Sequence, residues 1–352
     1  MNTIAEPNFR NPALANERLD SIADALAHGK QIAMVIEASS HCDLACDFCA
    51  AHSPKVPDKI FGIVGPVTKQ KKHMSAEVFA GVIRLMKDQP PLKMMFFHGN
   101  GEPLLNPKLA ELAAQVKTTG VAKAMTVVTN GTLLNAQRFV ALAEAGIDIF
   151  RVSLDFMTPE VYKAVKGVDR AARVVGNLEE CIAAIRERGL NVTVSIECKE
   201  WQDDATRDEA ALIVEHFTPL IADLPNVSVR KTREHNWIEQ ANKEAADGAP
   251  YRRRLPCEQP FYMMMVHSDG DISMCCVDSK KELLIGNANT SESLQAIVQS
   301  PTLRAWRKAH LQADFSQLPA CSQCDLASSV DQPLYEHREY LIRLIDASQP
   351  SQ

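Results

Sequence analysis

Apolar and polar positions change rhythm along the chain. Residues 19–27 show a short helical spacing, and Ile32 to Ile36 form an unbroken apolar run of strand length that leads directly into a group of cysteines. A repeating unit then sets in. Helical spacing over 76–87, with Val78, Phe79, Val82, Ile83, Leu85 and Met86 on one side, precedes a strand over 93–97. The same alternation gives helix 107–117 then strand 124–128, and helix 136–145 then strand 148–154. Helix 178–188 then precedes strand 192–196, and helix 209–220 precedes strand 227–229. Six strands separated by helices predict parallel strands joined by right-handed crossovers. Six units are too few to close an eight-fold barrel. The expected fold is therefore α/β, a partial (β/α)6 barrel whose open side something else must cover.

The repeat stops near Arg230. Residues 231–256 are polar and read as a linker, with the basic run Arg252-Arg253-Arg254 expected on a solvated face. From Cys257 the composition turns to aromatic residues, Met and Cys. A turn at Asp269-Gly270 gives Gly270 a positive φ between two short strands, and helices follow over 291–299 and 302–310. The expected organisation is a segment 1–30, a barrel 31–230, the linker 231–256, a small cysteine-rich α+β domain 257–330, and a C-terminal helix and tail 331–352. Residues 53–73 form a long Pro-, Gly- and Lys-containing loop inside the barrel unit.

Composition narrows the functional classes. The 352 residues are 46% hydrophobic and 23% charged, with a formal net charge of -6. An acidic balance disfavours nucleic acid as the main partner. No apolar run reaches spanning length and residues 1–10 carry no secretion pattern, so a cytoplasmic protein without a membrane partner is expected. Ten cysteines in a reducing compartment point to metal or redox chemistry rather than disulfides. Cys181 and Cys198, isolated in apolar stretches, read as small core residues.

The other cysteines are grouped. Cys42, Cys46 and Cys49 form C-x3-C-x2-C. Three thiolates on one loop can hold three corners of a 4Fe–4S cubane and leave one iron open to a small molecule. A zinc site, with His41 or His52 as fourth ligand, is the alternative. After the second strand comes Gly99-Asn100-Gly101-Glu102-Pro103, where glycines allow backbone to approach a ligand closely. Asn130, Ser153 and Asp155 lie at later C-terminal strand ends, where barrel chemistry is placed. Glu197, ending the fifth strand, is a further polar candidate.

The cysteine loop with its aromatic Phe48, set directly after the first strand of a partial barrel, resembles the radical S-adenosylmethionine (SAM) superfamily. The resemblance implies that Cys42, Cys46 and Cys49 hold three irons, that SAM chelates the fourth, and that Phe48 lies near adenine. It implies that the Gly-Gly-Glu-Pro-like segment, Asn100, Gly101 and Glu102, binds the SAM amino group, with Asn100 a departure from the usual glycine. Ser153 would meet the SAM carboxylate or ribose, and Asn130 and Asp155 would line the same cavity. Electron transfer, from a donor such as flavodoxin or ferredoxin, would split SAM into methionine and a 5′-deoxyadenosyl radical.

Cys257, Gly270, Cys275, Cys321 and Cys324 resemble the twitch domain, the shortened form of the SPASM domain. That implies one auxiliary 4Fe–4S cluster on Cys257, Cys275, Cys321 and Cys324, with four-cysteine zinc as the alternative. The full form needs further cysteines after Cys324, and the sequence has none there, so a second auxiliary cluster is not expected. Cys276 is the spare thiol, a packed hydrophobe, a substitute ligand or a hydrogen-atom donor to a substrate radical. With about thirty residues ahead of the barrel, a leader-binding or cobalamin domain is not expected. The expected reaction is oxidation or epimerisation of a small polar metabolite of carbohydrate or aminocyclitol type, with a peptide substrate as the close alternative. A zinc-binding adaptor and a ferredoxin-like carrier are readings from other classes.

Overall fold

The computed structural model describes residues 12–49, 51–53, 72–200, 206, 208–233 and 252–348. Most of the loop expected over 53–73, and most of the linker, fall outside these residues. The chain opens with α1 (Pro12–His28) and β1 (Ala33–Ile36), whose four side chains are all buried. The repeat follows as α2 (Ala76–Leu85), β2 (Met94–Phe97), α3 (Leu109–Thr119), β3 (Met125–Thr129), α4 (Ala136–Glu144) and β4 (Ile149–Ser153). After β4 come two helices, α5 (Pro159–Lys166) and α6 (Ala171–Arg188), then β5 (Thr193–Glu200), α7 (Glu209–Leu220) and β6 (Val227–Arg233). Strands β1 to β6 pair in parallel in sequence order, the topology of a partial barrel.

Local sequence accounts for the helix ends. The Ser75 and Asn135 side chains accept the N–H groups of Val78 and Arg138, capping α2 and α4. Gly120, Gly167 and Gly189 take left-handed conformations that stop α3, α5 and α6. The sequence reading missed α5, although Pro159 at its first position and Gly167 past its end are the expected boundary signals. It also began α6 seven residues late, at Leu178 instead of Ala171.

Beyond the barrel, α8 (Gln259–Tyr262) leads to β7 (Met263–Val266), β8 (Asp271–Ser273) and β9 (Leu284–Asn287). Strand β7 pairs in parallel with β1, and the β7–β8 hairpin turns at Gly270, φ 94°. The composition changes at 257, yet strands on both sides of that point share one nine-stranded sheet. Helices α9 (Leu294–Val298), α10 (Pro301–Leu311), α11 (Pro319–Ser322), α12 (Asp331–Glu336) and α13 (Arg338–Ala347) complete the chain.

The main core lies between the sheet and its helices, and Cys181 and Cys198 are buried within it. A smaller core joins α1 to α12 and α13 through Ile22, Phe261, Leu334 and Leu341. No helix among the described residues is long and apolar enough to cross a membrane.

The basic run differs from its expected solvated placement. Arg252 and Arg254 are exposed, but Arg253 is buried. Its guanidinium donates to the carbonyls of Cys324 (3.1 Å), Pro256 (3.2 Å) and Leu326, and pairs with Asp331 at 3.3 Å. A guanidinium has five donors in a fixed fork, enough to satisfy several carbonyls in a buried loop.

Candidate active site

The loop after β1 carries Cys42, Cys46 and Cys49 and hangs on the C-terminal end of α5. The Ala45 N–H donates to the Lys166 carbonyl (3.1 Å) and the Asp47 N–H to the Val165 carbonyl (2.8 Å), while the Cys49 N–H closes a turn on Cys46 (3.0 Å). Burial pushes the Cys42 thiol up to about 12, with Glu102, Cys46 and Cys49 adding to the rise. Burial likewise raises Cys46 to about 11, and it raises Cys49. The three thiols thus sense one another's charge in a low-dielectric pocket, and thiolates there need a cation to offset them.

The segment after β2 is built around backbone contact. A Cβ on Gly101 would lie 2.4 Å from the carbonyl oxygens of both His41 and Ser39, so only glycine lets this segment meet the cysteine loop. The Glu102 N–H donates to the His41 carbonyl at 2.7 Å. The Glu102 carboxylate faces inward and accepts Thr129 Oγ1 (2.6 Å), the Leu104 N–H (3.1 Å) and the Asn130 N–H (2.8 Å). Burial raises its carboxyl to about 7. That side chain ties the loops after β2 and β3 together, leaving ligand contact in this segment to the backbone around Gly101. Asn100 is held by its N–H on Glu37 Oε1 (3.1 Å), and Glu37 Oε2 accepts the Ser268 N–H (2.9 Å). Glu37, which the sequence did not single out, therefore links the barrel mouth to the β7–β8 hairpin.

Asn130 lies beside the cysteine loop, with Nδ2 donating to Asp43 Oδ1 (2.8 Å) and standing 3.9 Å from Cys42 Sγ. Phe48 is half-buried, with the Lys199 ammonium 3.5 Å from its ring centroid. Ser153 is half-buried, and its carbonyl accepts Lys166 Nζ at 2.9 Å. Asp155, expected in the same cavity, lies against Lys166. It is 1% exposed and pairs with Lys166 at 2.6 Å. Its left-handed backbone, φ 62°, turns the side chain inward towards the α5 end.

The second thiol group lies around the Arg253 loop and the β8–β9 region. The hydrogen bond that the Cys275 thiol gives to Cys276, and burial, raise Cys275; burial raises Cys257, with Cys275 and Cys324 adding to it. Burial raises Cys324 to about 11 and Cys321 further still, and Cys275 reinforces both. The Cys275 charge thus reaches Cys257, Cys321 and Cys324. The Cys276 thiol is half-buried and donates to Gln259 Oε1 at 3.7 Å. Among the described residues no three His, Cys, Asp or Glu side chains are gathered as for a single metal ion. Three thiols beside a glycine cradle, and a second group in which the Cys275 charge reaches Cys257, Cys321 and Cys324, do fit the thiolate chemistry of two iron–sulfur clusters.

Comparison with known proteins agrees with both halves. Residues 36–197 match the Radical SAM superfamily, and residues 257–325 match SPASM, an iron–sulfur cluster-binding domain. A tungsten-containing aldehyde ferredoxin oxidoreductase cofactor-modifying protein of Pyrococcus furiosus is 28% identical over 124 residues, 35% of this chain and 31% of its own. A PqqA peptide cyclase of Streptomyces rochei is 26% identical over 211 residues, 60% of this chain and 51% of its own. The chain thus spans a third to a half of the length of these curated relatives. The crystal structure of BtrN with AdoMet and 2-DOIA superposes with a TM-score of 0.53 at 16% identity, covering 84% of this chain and 94% of that one, which shows a shared fold. The cofactors of the two matched domains are SAM with a 4Fe–4S cluster in the first and auxiliary iron–sulfur binding in the second. The chain belongs to the radical SAM superfamily, in its twitch/SPASM subgroup.

Proposed function

We propose that the chain reductively cleaves SAM and abstracts a hydrogen atom from a small polar metabolite of carbohydrate or aminocyclitol type, oxidising or epimerising it. The observation that carries this reading is the position of Cys42, Cys46 and Cys49. They share one loop at the C-terminal end of β1, beside the Gly101 cradle. These cysteines would hold the first cluster, which when bound supplies the electron that breaks SAM into methionine and a 5′-deoxyadenosyl radical. Cys257, Cys275, Cys321 and Cys324 would hold the auxiliary cluster.

The chain's own residues orient and shield. Backbone at Asn100 and Gly101 offers polar groups beside the cysteine loop, and Asn130 and Ser153 flank the same mouth. Phe48 presents a ring face for a stacked base. Cys276 is the candidate hydrogen donor for an epimerising outcome. A reducing partner such as flavodoxin or ferredoxin would deliver the electron.

The match to a PqqA peptide cyclase over 60% of this chain supports a second reading, a peptide substrate. Deuterium transfer separates the two. Deuterated sugars or cyclitols that label 5′-deoxyadenosine support the metabolite reading, whereas label arising only from deuterated peptides overturns it.

A further inference from the structure

Glu37 follows β1 directly, and its carboxylate is buried. Its N–H donates to the Val266 carbonyl at 2.9 Å, which sets the residue beside the β7–β8 hairpin. Glu37 Oε1 accepts the Asn100 N–H (3.1 Å), and Oε2 accepts the Ser268 N–H (2.9 Å). His267 faces the same carboxylate, with Nδ1 4.0 Å from Glu37 Oε2. Its Nε2 lies 2.7 Å from Ser273 Oγ. His267 and Ser273 are buried as well. A polar chain thus runs from Ser273, two residues before Cys275, through His267 and Glu37 to the backbone of Asn100.

That chain fixes a peptide plane. In a planar trans peptide the N–H and the carbonyl point in opposite directions. With the Asn100 N–H turned onto Glu37, the Gly99 carbonyl of the same peptide points away from the buried carboxylate and is left to a ligand. Steric fit holds the plane too. Gly99 takes φ 146°, and a Cβ there would lie 2.9 Å from Met265 Cε and 3.0 Å from Glu37 Cβ. The carboxylate also selects the histidine tautomer. Burial lowers His267 below its ordinary value, so the ring carries one proton near neutrality. A proton on Nδ1 faces the carboxylate and leaves Nε2 to accept the Ser273 hydroxyl, whereas the other tautomer sets a lone pair against the charge. Nδ1 has no hydrogen-bond partner among the described residues, so its N–H acts on Glu37 across the 4.0 Å gap.

We propose that Glu37 and His267 are positioning residues for SAM: Glu37 sets the Gly99–Asn100 peptide plane, and His267, carried by the hairpin that leads to Cys275, holds the Glu37 carboxylate on it. This rests on the reading that the segment around Gly101 meets SAM, and deepens it. Affinity for SAM then depends on side chains of the C-terminal cysteine-rich part, which completes the cradle from behind. The chemistry of the carboxylate makes the dependence specific. In Glu37→Gln the amide keeps one acceptor oxygen, so its NH2 group must oppose either the Asn100 or the Ser268 N–H in a buried seam. His267→Leu removes the facing N–H and strips the Ser273 hydroxyl of its acceptor. His267→Asn keeps an amide donor on the Glu37 side.

The test measures equilibrium binding of radiolabelled SAM to the anaerobically reconstituted chain before any reductant is added, with iron counted on each sample. Glu37→Gln should raise the Kd about tenfold, His267→Leu several-fold, and His267→Asn should recover part of that loss. The double variant Glu37→Gln/His267→Leu should weaken binding by less than the product of the two single effects. After reduction, the KM for SAM should rise in Glu37→Gln while 5′-deoxyadenosine formation at saturating SAM stays close to wild type. Ile213→Ala, a core truncation in α7, controls for lost stability and should lower the thermal midpoint without moving the Kd. An unchanged Kd in Glu37→Gln and His267→Leu, or an equal rise in Ile213→Ala, would overturn the proposal. If Glu37→Gln does not fold, the two His267 variants decide alone, and a Kd equal to wild type in His267→Leu overturns it. Failure of the iron-loaded wild type to bind SAM would refute the cradle reading, whereas SAM bound equally by wild type and variants would refute the positioning alone.

Discussion

The Lys166 ammonium lies 2.6 Å from the Asp155 carboxylate, and both side chains are sealed from solvent at 2% and 1% exposure. Burial alone would lower the lysine, but the Asp155 charge and hydrogen bond, together with the Cys46 and Tyr162 charges, outweigh it and hold Lys166 above its ordinary value. The pair matters because the carbonyls of Val165 and Lys166 receive the N–H groups of Asp47 and Ala45. A charge pair in the wall thereby sets the helix end from which the cysteine loop hangs.

Asp155→Ala leaves a buried ammonium without its counter-charge, and should cost about 3–5 kcal/mol of stability. Iron retention at the first site should fall with it. Adding Lys166→Met to Asp155→Leu should recover more than half of the lost stability, because removing both charges relieves the desolvation penalty. Chemical denaturation under anaerobic conditions, with iron counted in parallel, checks both statements.

Gly101→Ala drives a methyl group into the backbone of Ser39 and His41. The cysteine loop must move, so the first cluster should be lost while the auxiliary one stays, a fall of about four irons from about eight. Gly176→Ala is the control. It lies inside α6 with nothing within 4 Å of the added Cβ, and should raise stability by about 0.5–1 kcal/mol.

Arg253→Lys removes the fork that satisfies the carbonyls of Pro256, Cys324 and Leu326. The auxiliary site should lose its iron, with the first site and SAM binding retained. Iron counts on the Cys42→Ala/Cys46→Ala/Cys49→Ala background isolate the effect.

His98 sets a pH dependence. Its folded value of about 4 lies below the ordinary 6.5, so the folded state favours the neutral ring. Its contribution is complete above about pH 6.5 and is lost as pH falls towards 4. Discounted for its partial exposure, the loss is about 1–3 kcal/mol. The thermal midpoint of wild type should drop relative to His98→Gln over that interval, and parallel curves would contradict the assignment.

Much of this architecture was legible because it is periodic. Alternation of helix and strand marked β1 to β6 in order, and cysteine spacing marked both thiol groups before any contact was known. Three features escaped for physical reasons. Helix α5 has eight residues, too short for its apolar stripe to stand out, and its decisive residue is a charged Lys166 that burial alone makes structural. Arg253 sits between two exposed arginines, and nothing in the run Arg252-Arg253-Arg254 says which one turns inward. The pairing of β7 with β1 joins positions 230 residues apart, a contact that local pattern does not encode. Glu37 follows an apolar strand directly, and a carboxylate at such a strand end was the available signal for a residue that organises the mouth.

The most direct measurement is 5′-deoxyadenosine formation from SAM by the anaerobically reconstituted, dithionite-reduced chain, beside the Cys42→Ala/Cys46→Ala/Cys49→Ala variant. The wild type should form 5′-deoxyadenosine, and the variant should form none while keeping about four of about eight irons. Iron bound by the wild type without any SAM cleavage, or cleavage that survives loss of all three cysteines, would contradict the account.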